Sequence, residues 1–180
     1  MDIEESLKIL KAWQEQSLDL DYSTVWKLGH ALAEAESTAA KEFFINSLDD
    51  PNWRWRDDCI SFLGFHYPLD GKILSKIRNM LLSDPSSNVR ISAASVLGSQ
   101  SSVPDPALSS AIQSDPDHMV RETVFEAILV LAKVSNNTIK REIKRIKTEE
   151  IQPTLEEVKR VIQEENINLP DHFLDLDIPS

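Results

Sequence analysis

Apolar positions along this chain recur three and four residues apart, and that spacing predicts helix almost throughout. Three stretches carry the pattern most regularly. Residues 84–98 read DPSSNVRISAASVLG, residues 50–64 read DPNWRWRDDCISFLG, and residues 115–129 read DPDHMVRETVFEAIL. The offsets between them are 34 and 31 residues. In each, Asp-Pro ends the preceding helix, because proline lacks an N–H and disfavours helix at the residue before it. Two residues past the aspartate come Asn52, Ser86 and Asp117, each suited to cap the next helix. Trp55, Cys59 and Leu63 then draw an apolar stripe, repeated by Val89, Ala93, Leu97 and by Val120, Val124, Ile128. Ala93 is small enough to let a neighbouring helix approach closely. Arg56, Arg90 and Arg121 follow the first stripe residue every time. The expected role of each is to pair with the turn aspartate of its own or the next unit; the alternative is a basic ligand-binding row.

The rest of the chain reads as partner helices. Ile3, Leu7, Leu10 and Trp13 share a face of a helix over about residues 2–16. A second helix runs to about Ala35, and a third, capped by Ser37, runs to Leu48. Asp70 caps a helix through Ile73, Ile77 and Leu81, and residues 106–113 form a short one. Asn136-Asn137 caps a helix with Ile139, Ile143 and Ile146 on one face. Thr154-x-x-Glu157 is a capping box that opens the last. Ten helices make about five hairpins, with degenerate first and last pairs, as expected where a stack of repeats meets water. Residues 1–165 are expected to form this repeat domain and residues 166–180 an acidic tail.

The repeated unit resembles the HEAT repeat, and within it the HEAT-like repeats of the phycobilin lyase type. The residues that match are Asp84, Pro85, Val89, Arg90, Ala93, Leu97 and Gly98. The other copies depart from them at Trp55, at Cys59 and Val124, and at Leu129 in place of the glycine. The resemblance covers roughly residues 37–133. It implies an all-α fold, a right-handed α-α superhelix in which the second helix of each pair lines the concave face. A second likeness concerns Asn52 to Asp57, similar to the Trp and Asp of HEAT-like DNA glycosylases, which would give Trp53 and Asp57 that role. The repeat explains Asn52, Trp55 and Arg56 unaided, so this reading ranks below a binding function.

Charge narrows the choice of partner. The chain carries a formal net charge of −11, and its quarters are uneven. Residues 1–50 hold −7, residues 51–100 hold +2, residues 101–150 hold −1 and residues 151–180 hold −5. Phosphate contacts need a positive footprint, so nucleic acid is disfavoured. A basic protein partner is favoured, with steering to speed its arrival. No run approaches the length of a membrane span. The first ten residues read as an acidic amphipathic helix rather than a signal peptide. One cysteine, Cys59, lies on an apolar stripe and reads as a core thiol of a cytoplasmic protein.

Five residues are singled out for partner binding. Asp57, Asp58, Glu122 and Glu126 occupy off-stripe positions on helices expected to line the groove. Trp53 stands where the sister units have Ser87 and His118, so the repeat does not require it. An exposed Trp is suited to anchor an interface. Lys140, Arg141, Lys144, Arg145 and Lys147 form a basic ridge, read chiefly as the solvated face of its helix. The tail mixes acids with Phe173, Leu174, Leu176 and Ile178, a second candidate binding segment. His30, His66, His118 and His172 are scattered, and no Cys/His pair has metal-ligand spacing. No nucleophile motif or phosphate-binding glycine loop occurs. The expectation is a non-enzymatic binding module without cofactor, of inhibitor or immunity type, docking a basic toxin or enzyme on an acidic concave face. The alternative implied by the resemblance is a chromophore-handling protein similar to phycobilin lyases.

Overall fold

A computed structural model describes residues 2–101 and 105–169. Among the described residues the chain is all-α, with ten helices and no strand. They are α1 (Ile3–Gln14), α2 (Tyr22–Glu34), α3 (Thr38–Asn46), α4 (Trp53–His66), α5 (Gly71–Ser83), α6 (Ser87–Gln100), α7 (Pro106–Ser114), α8 (His118–Leu131), α9 (Asn136–Glu149) and α10 (Leu155–Glu164). The expected third helix is shorter: α3 gives way to a 3-10 turn at Ser47–Asp49. The chain divides into two compact units, Met1–Ile73 and Leu74–Ser180, with the boundary inside α5.

Local chemistry sets the helix starts. Asn52 accepts the N–H of Arg54, and Asp117 accepts those of Met119 and Val120. Thr154 caps Glu157 through its hydroxyl. Two starts differ from expectation. Ser86 makes no side-chain cap bond. The cap of α9 is Ser135 rather than Asn136-Asn137; its hydroxyl accepts the N–H of Thr138, which draws both asparagines into the helix.

The Asp-Pro turn has one geometry in all three copies. A carboxylate oxygen of Asp50, Asp84 and Asp115 accepts the N–H two residues on, at 2.8, 2.9 and 2.9 Å. The arginine six residues later donates through Nη1 to the carbonyl of the same aspartate: Arg56 to Asp50, Arg90 to Asp84, Arg121 to Asp115. In unit 2 the guanidinium also reaches the next turn. Arg90 grips Asp115 with Nε at 2.7 Å and Nη2 at 2.9 Å. Arg121 likewise donates to Gln152. The pairing reading of these arginines therefore holds for Arg90, whose guanidinium is stabilised in its charged form by Asp115.

In unit 1 the core is aromatic. Trp55 of α4 is fully buried, and its ring centroid lies 5.6 Å from Trp13, 6.2 Å from Phe43, 6.4 Å from Phe44 and 6.2 Å from Phe62. Such tilted and edge-on contacts add to the burial term. Room for Trp55 comes from Gly29 on α2. A Cβ there would stand 3.0 Å from the Trp55 ring and 2.7 Å from the Phe62 ring. Cys59 is buried in this core, and burial pushes its thiol well up, so it stays protonated.

In unit 2 the hub is α8, which packs against α6, α7, α9 and α10. Its stripe, Val120, Val124 and Ile128, is fully buried, as is the α6 stripe Val89, Ala93 and Leu97. Gly98 sets the α6–α8 spacing: a Cβ would lie 2.7 Å from the Ala127 Cβ and 2.9 Å from its Cα. Between α9 and α10, buried Glu142 collects Arg141, Arg145 and Arg160. Burial alone would raise its carboxyl, but the three guanidinium hydrogen bonds outweigh that and hold it below the usual range.

Two changes test this framework by denaturant midpoint. Gly98→Ala is expected to destabilise by about 1–3 kcal/mol despite alanine's better helix propensity, because the Cβ meets backbone that cannot yield. Arg90→Lys keeps the charge but loses the fork, and is expected to cost about 1.5–3 kcal/mol. A stabilising Gly98→Ala, or a neutral Arg90→Lys, would contradict the packing described.

Candidate functional site

Two parallel rows meet on unit 1. On α2, Tyr22, Trp26, His30 and Glu34 lie four residues apart and so share a face. On α4, Arg54, Asp58, Phe62 and His66 do the same. The rows join in register. The Tyr22 hydroxyl donates to Asp58 at 2.7 Å, and the Arg54 guanidinium lies 5.9 Å from the Tyr22 ring. Further along, His30 is 6.3 Å from Phe62 and 5.9 Å from His66, ring to ring. Trp26 stacks obliquely on His30 at 5.0 Å, and Glu34 lies 3.7 Å from the His30 Nδ1. Because Tyr22 meets the start of α4 and His30 its end, the two helices run in the same direction.

Large apolar side chains remain exposed on these two helices. Trp26 is 43% exposed, Trp53 38% and Phe65 67%. Trp53, one of the five expected site residues, sits at the first turn of α4 with the Arg54 guanidinium 5.5 Å from its ring. Asp57 and Asp58 are half-buried one turn further on. Burial pushes the Asp58 carboxyl up, the Tyr22 hydrogen bond pulls it back, and the charge of Asp57 adds to the rise. The Tyr22 phenol is pushed up in turn, by burial and then by Asp58, so it remains a donor. Trp53, Asp57 and Asp58 therefore belong to one surface, with Arg54 threaded through it.

The acids expected on unit 2 have different surroundings. Glu122 is not a solvent-facing acid: it is 6% exposed, and its Oε1 takes the Lys147 ammonium at 2.8 Å. The reason is the packing of α9 on α8, which covers that side of the helix. Its Oε2 is buried without a hydrogen-bond partner. Glu126 is exposed and borders a cavity lined by lysines of α9. The ridge Arg141 and Arg145 belong instead to the Glu142 cluster.

Trp26, Phe65 and the His30–His66 contact were not anticipated as a group. Trp26 and His30 are four apart on α2, which the helical period could have placed on one face. That His66 joins them depends on α2–α4 register, which no local signal carries. Among the described residues no three His, Cys, Asp or Glu side chains converge as a metal site. No described helix is long and apolar enough to cross a membrane. Tail residues 170–180 lie outside the described residues. No family model matches the chain, and no curated protein matches it at a significant level.

The Tyr22–Asp58 bond holds the two rows together. A double-mutant cycle over Tyr22→Phe and Asp58→Ala is expected to give a coupling of about 1.5 kcal/mol, the low end for a hydrogen bond to a charged group because the pair is half-buried. Additive effects in urea denaturation would mean that the rows are held by packing alone.

Proposed function

We propose that this chain is a non-enzymatic protein-binding module, a HEAT-like right-handed α-α superhelix that docks a basic partner on the α2–α4 face. The reading is supported chiefly by one observation: Trp53, Asp57 and Asp58 share a surface on which Trp26 and Phe65 are also exposed. Exposed tryptophans are the commonest interface anchors, and neighbouring carboxylates complement arginine and lysine. Tryptophan faces also accept cations directly. The HEAT-like assignment draws support from the repeated turn geometry. It draws more from α2 and α4, neighbouring helices that run parallel in unit 1. An inhibitor or immunity-type role in the cytoplasm follows from size and charge together. Glu122 drops out of the docking set, since its carboxylate is spent on Lys147.

The test begins with capture of partners by the immobilised chain, followed by kinetics with the purified partner. The partner is expected to be basic, and its binding to weaken as salt screens exposed charge beyond about 10 Å at 0.1 M. Asp57→Lys is expected to lower mainly the association rate. Trp53→Ala is expected to speed dissociation, costing about 2 kcal/mol or more. Circular dichroism would confirm that both variants remain folded. Unchanged kinetics in both variants would remove this face as the docking site.

A further inference from the structure

Unit 2 carries a second surface of opposite polarity, independent of the docking face above. Between α8 and α9 lies a cavity of about 320 Å3. Its floor is Ile139 and Ile143; its rim is Lys140, Lys144, Lys147 and Glu126. Lys140 and Lys144 are one turn apart, so their ammonium groups stand on the same side of α9.

The cations of α9 divide by face. Arg141 and Arg145 turn to Glu142, and Arg145 also to Glu157. Lys147 serves Glu122. Neither Lys140 nor Lys144 has an ion-pair partner among the described residues, and both are exposed. Two uncompensated ammonium groups thus overhang an aliphatic floor in a chain of net charge −11. Glu126 is the single acid of the lining, and it also borders a smaller groove of about 190 Å3 toward Gly98 and Val130.

We infer that this cavity is a docking site for an acidic peptide segment of another protein, one that carries aliphatic or aromatic side chains between its carboxylates. Charge complementarity selects the acids: Lys140 and Lys144 supply donors on a flexible stem, with no competing partner among the described residues. The isoleucine floor selects an apolar side chain between them. A nucleic acid fits less well. Its bases would need aromatic platforms to stack on, and the lining holds none.

The probe is a fluorescent peptide alternating Asp with Leu and Phe, titrated into the full chain by anisotropy. Binding is expected in the micromolar to millimolar range and to fall with salt. Lys140→Glu with Lys144→Glu is expected to weaken it by about tenfold or more. Glu126→Gln is expected to tighten it by about twofold to fivefold, the worth of one exposed like charge. That gain cannot come from a folding defect. No binding at about 1 mM peptide, a affinity weaker than −4.1 kcal/mol, would overturn the inference. So would affinity indifferent to both sets of substitutions. Competition by an oligothymidine would make the site one for nucleic acid. Peptide affinity that rises in a full chain carrying Asp171→Asn, Asp175→Asn and Asp177→Asn would make the chain's own acidic segment the occupant. Either of these last results also overturns it.

Discussion

Much of this structure depends on a guanidinium donating to the carbonyl of an aspartate six residues earlier. The need for it arises from the proline. Asp-Pro ends a helix sharply, but the proline offers no N–H, and the turn leaves the aspartate carbonyl without a helical partner. Arg56, Arg90 and Arg121 each fill that vacancy. The aspartate side chain meanwhile takes the N–H two residues on, which aims the chain into the next helix. In unit 2 the remaining donors of the arginine reach forward. Arg90 to Asp115 is such a reach, and at 11% and 5% side-chain exposure the pair is nearly dry. A dry ion pair contributes little net stability against its desolvation, but a bidentate one tolerates few geometries. The arginine therefore fixes where the next turn lies more than how tightly it is held.

Packing between second helices is solved differently in the two units. In unit 2 the small residues Gly98 and Ala127 allow α6 and α8 to approach almost backbone to backbone. In unit 1 the stripe opens with Trp55 where its sisters have valine, and Phe62 stands beside it. The space for both comes from Gly29, on the helix opposite. The same repeat thus accommodates a small-residue seam and an aromatic one, provided one glycine faces the bulk. Above Trp55 and Phe62, Tyr22, His30 and His66 are half-buried and Trp26 is exposed.

Most of the fold was legible because its signals are local. Asn52, Asp117 and Thr154 cap the helices that the spacing of polar and apolar residues places after them. The stripes were legible for the same reason. Where local signals compete, the reading slipped: Ser135, Asn136 and Asn137 are all competent caps, and only one hydroxyl has the reach. Helix ends were harder. Gln16, Glu36, Lys133, Glu150 and Asn166 all turn left-handed after a helix without a glycine to mark the place. A further unit was within reach of the pattern. Gln152-Pro153-Thr154 stands 37 residues beyond Asp115, and Gln152 receives Arg121 as Asp115 receives Arg90. The amide keeps the acceptor oxygen and gives up the charge. The candidate site was less legible, because burial of an off-stripe residue depends on what packs over it. Asp57 and Glu122 hold the same position in the repeat, yet one is half-buried at an open seam and the other lies under α9.

The two units also differ in how they spend charge. On unit 2 the arginines of α9 and α10 are consumed by Glu142, Glu157 and Glu164, since a planar fork can satisfy several carboxylates at close quarters. The lysines, single and strongly hydrated, line the cavity beside α8. The basic ridge of the sequence is thus divided: Arg141 and Arg145 pair with Glu142, Lys147 pairs with Glu122, and Lys140 and Lys144 have no ion-pair partner among the described residues. On unit 1 the reverse sorting occurs. Arg54 lies against the Tyr22 and Trp53 rings, while Asp57 and Asp58 stay at the half-open surface. Net charge alone suggested one kind of partner. Sorting by side chain gives an acid-bearing aromatic face on one unit and a lysine-rimmed aliphatic cavity on the other.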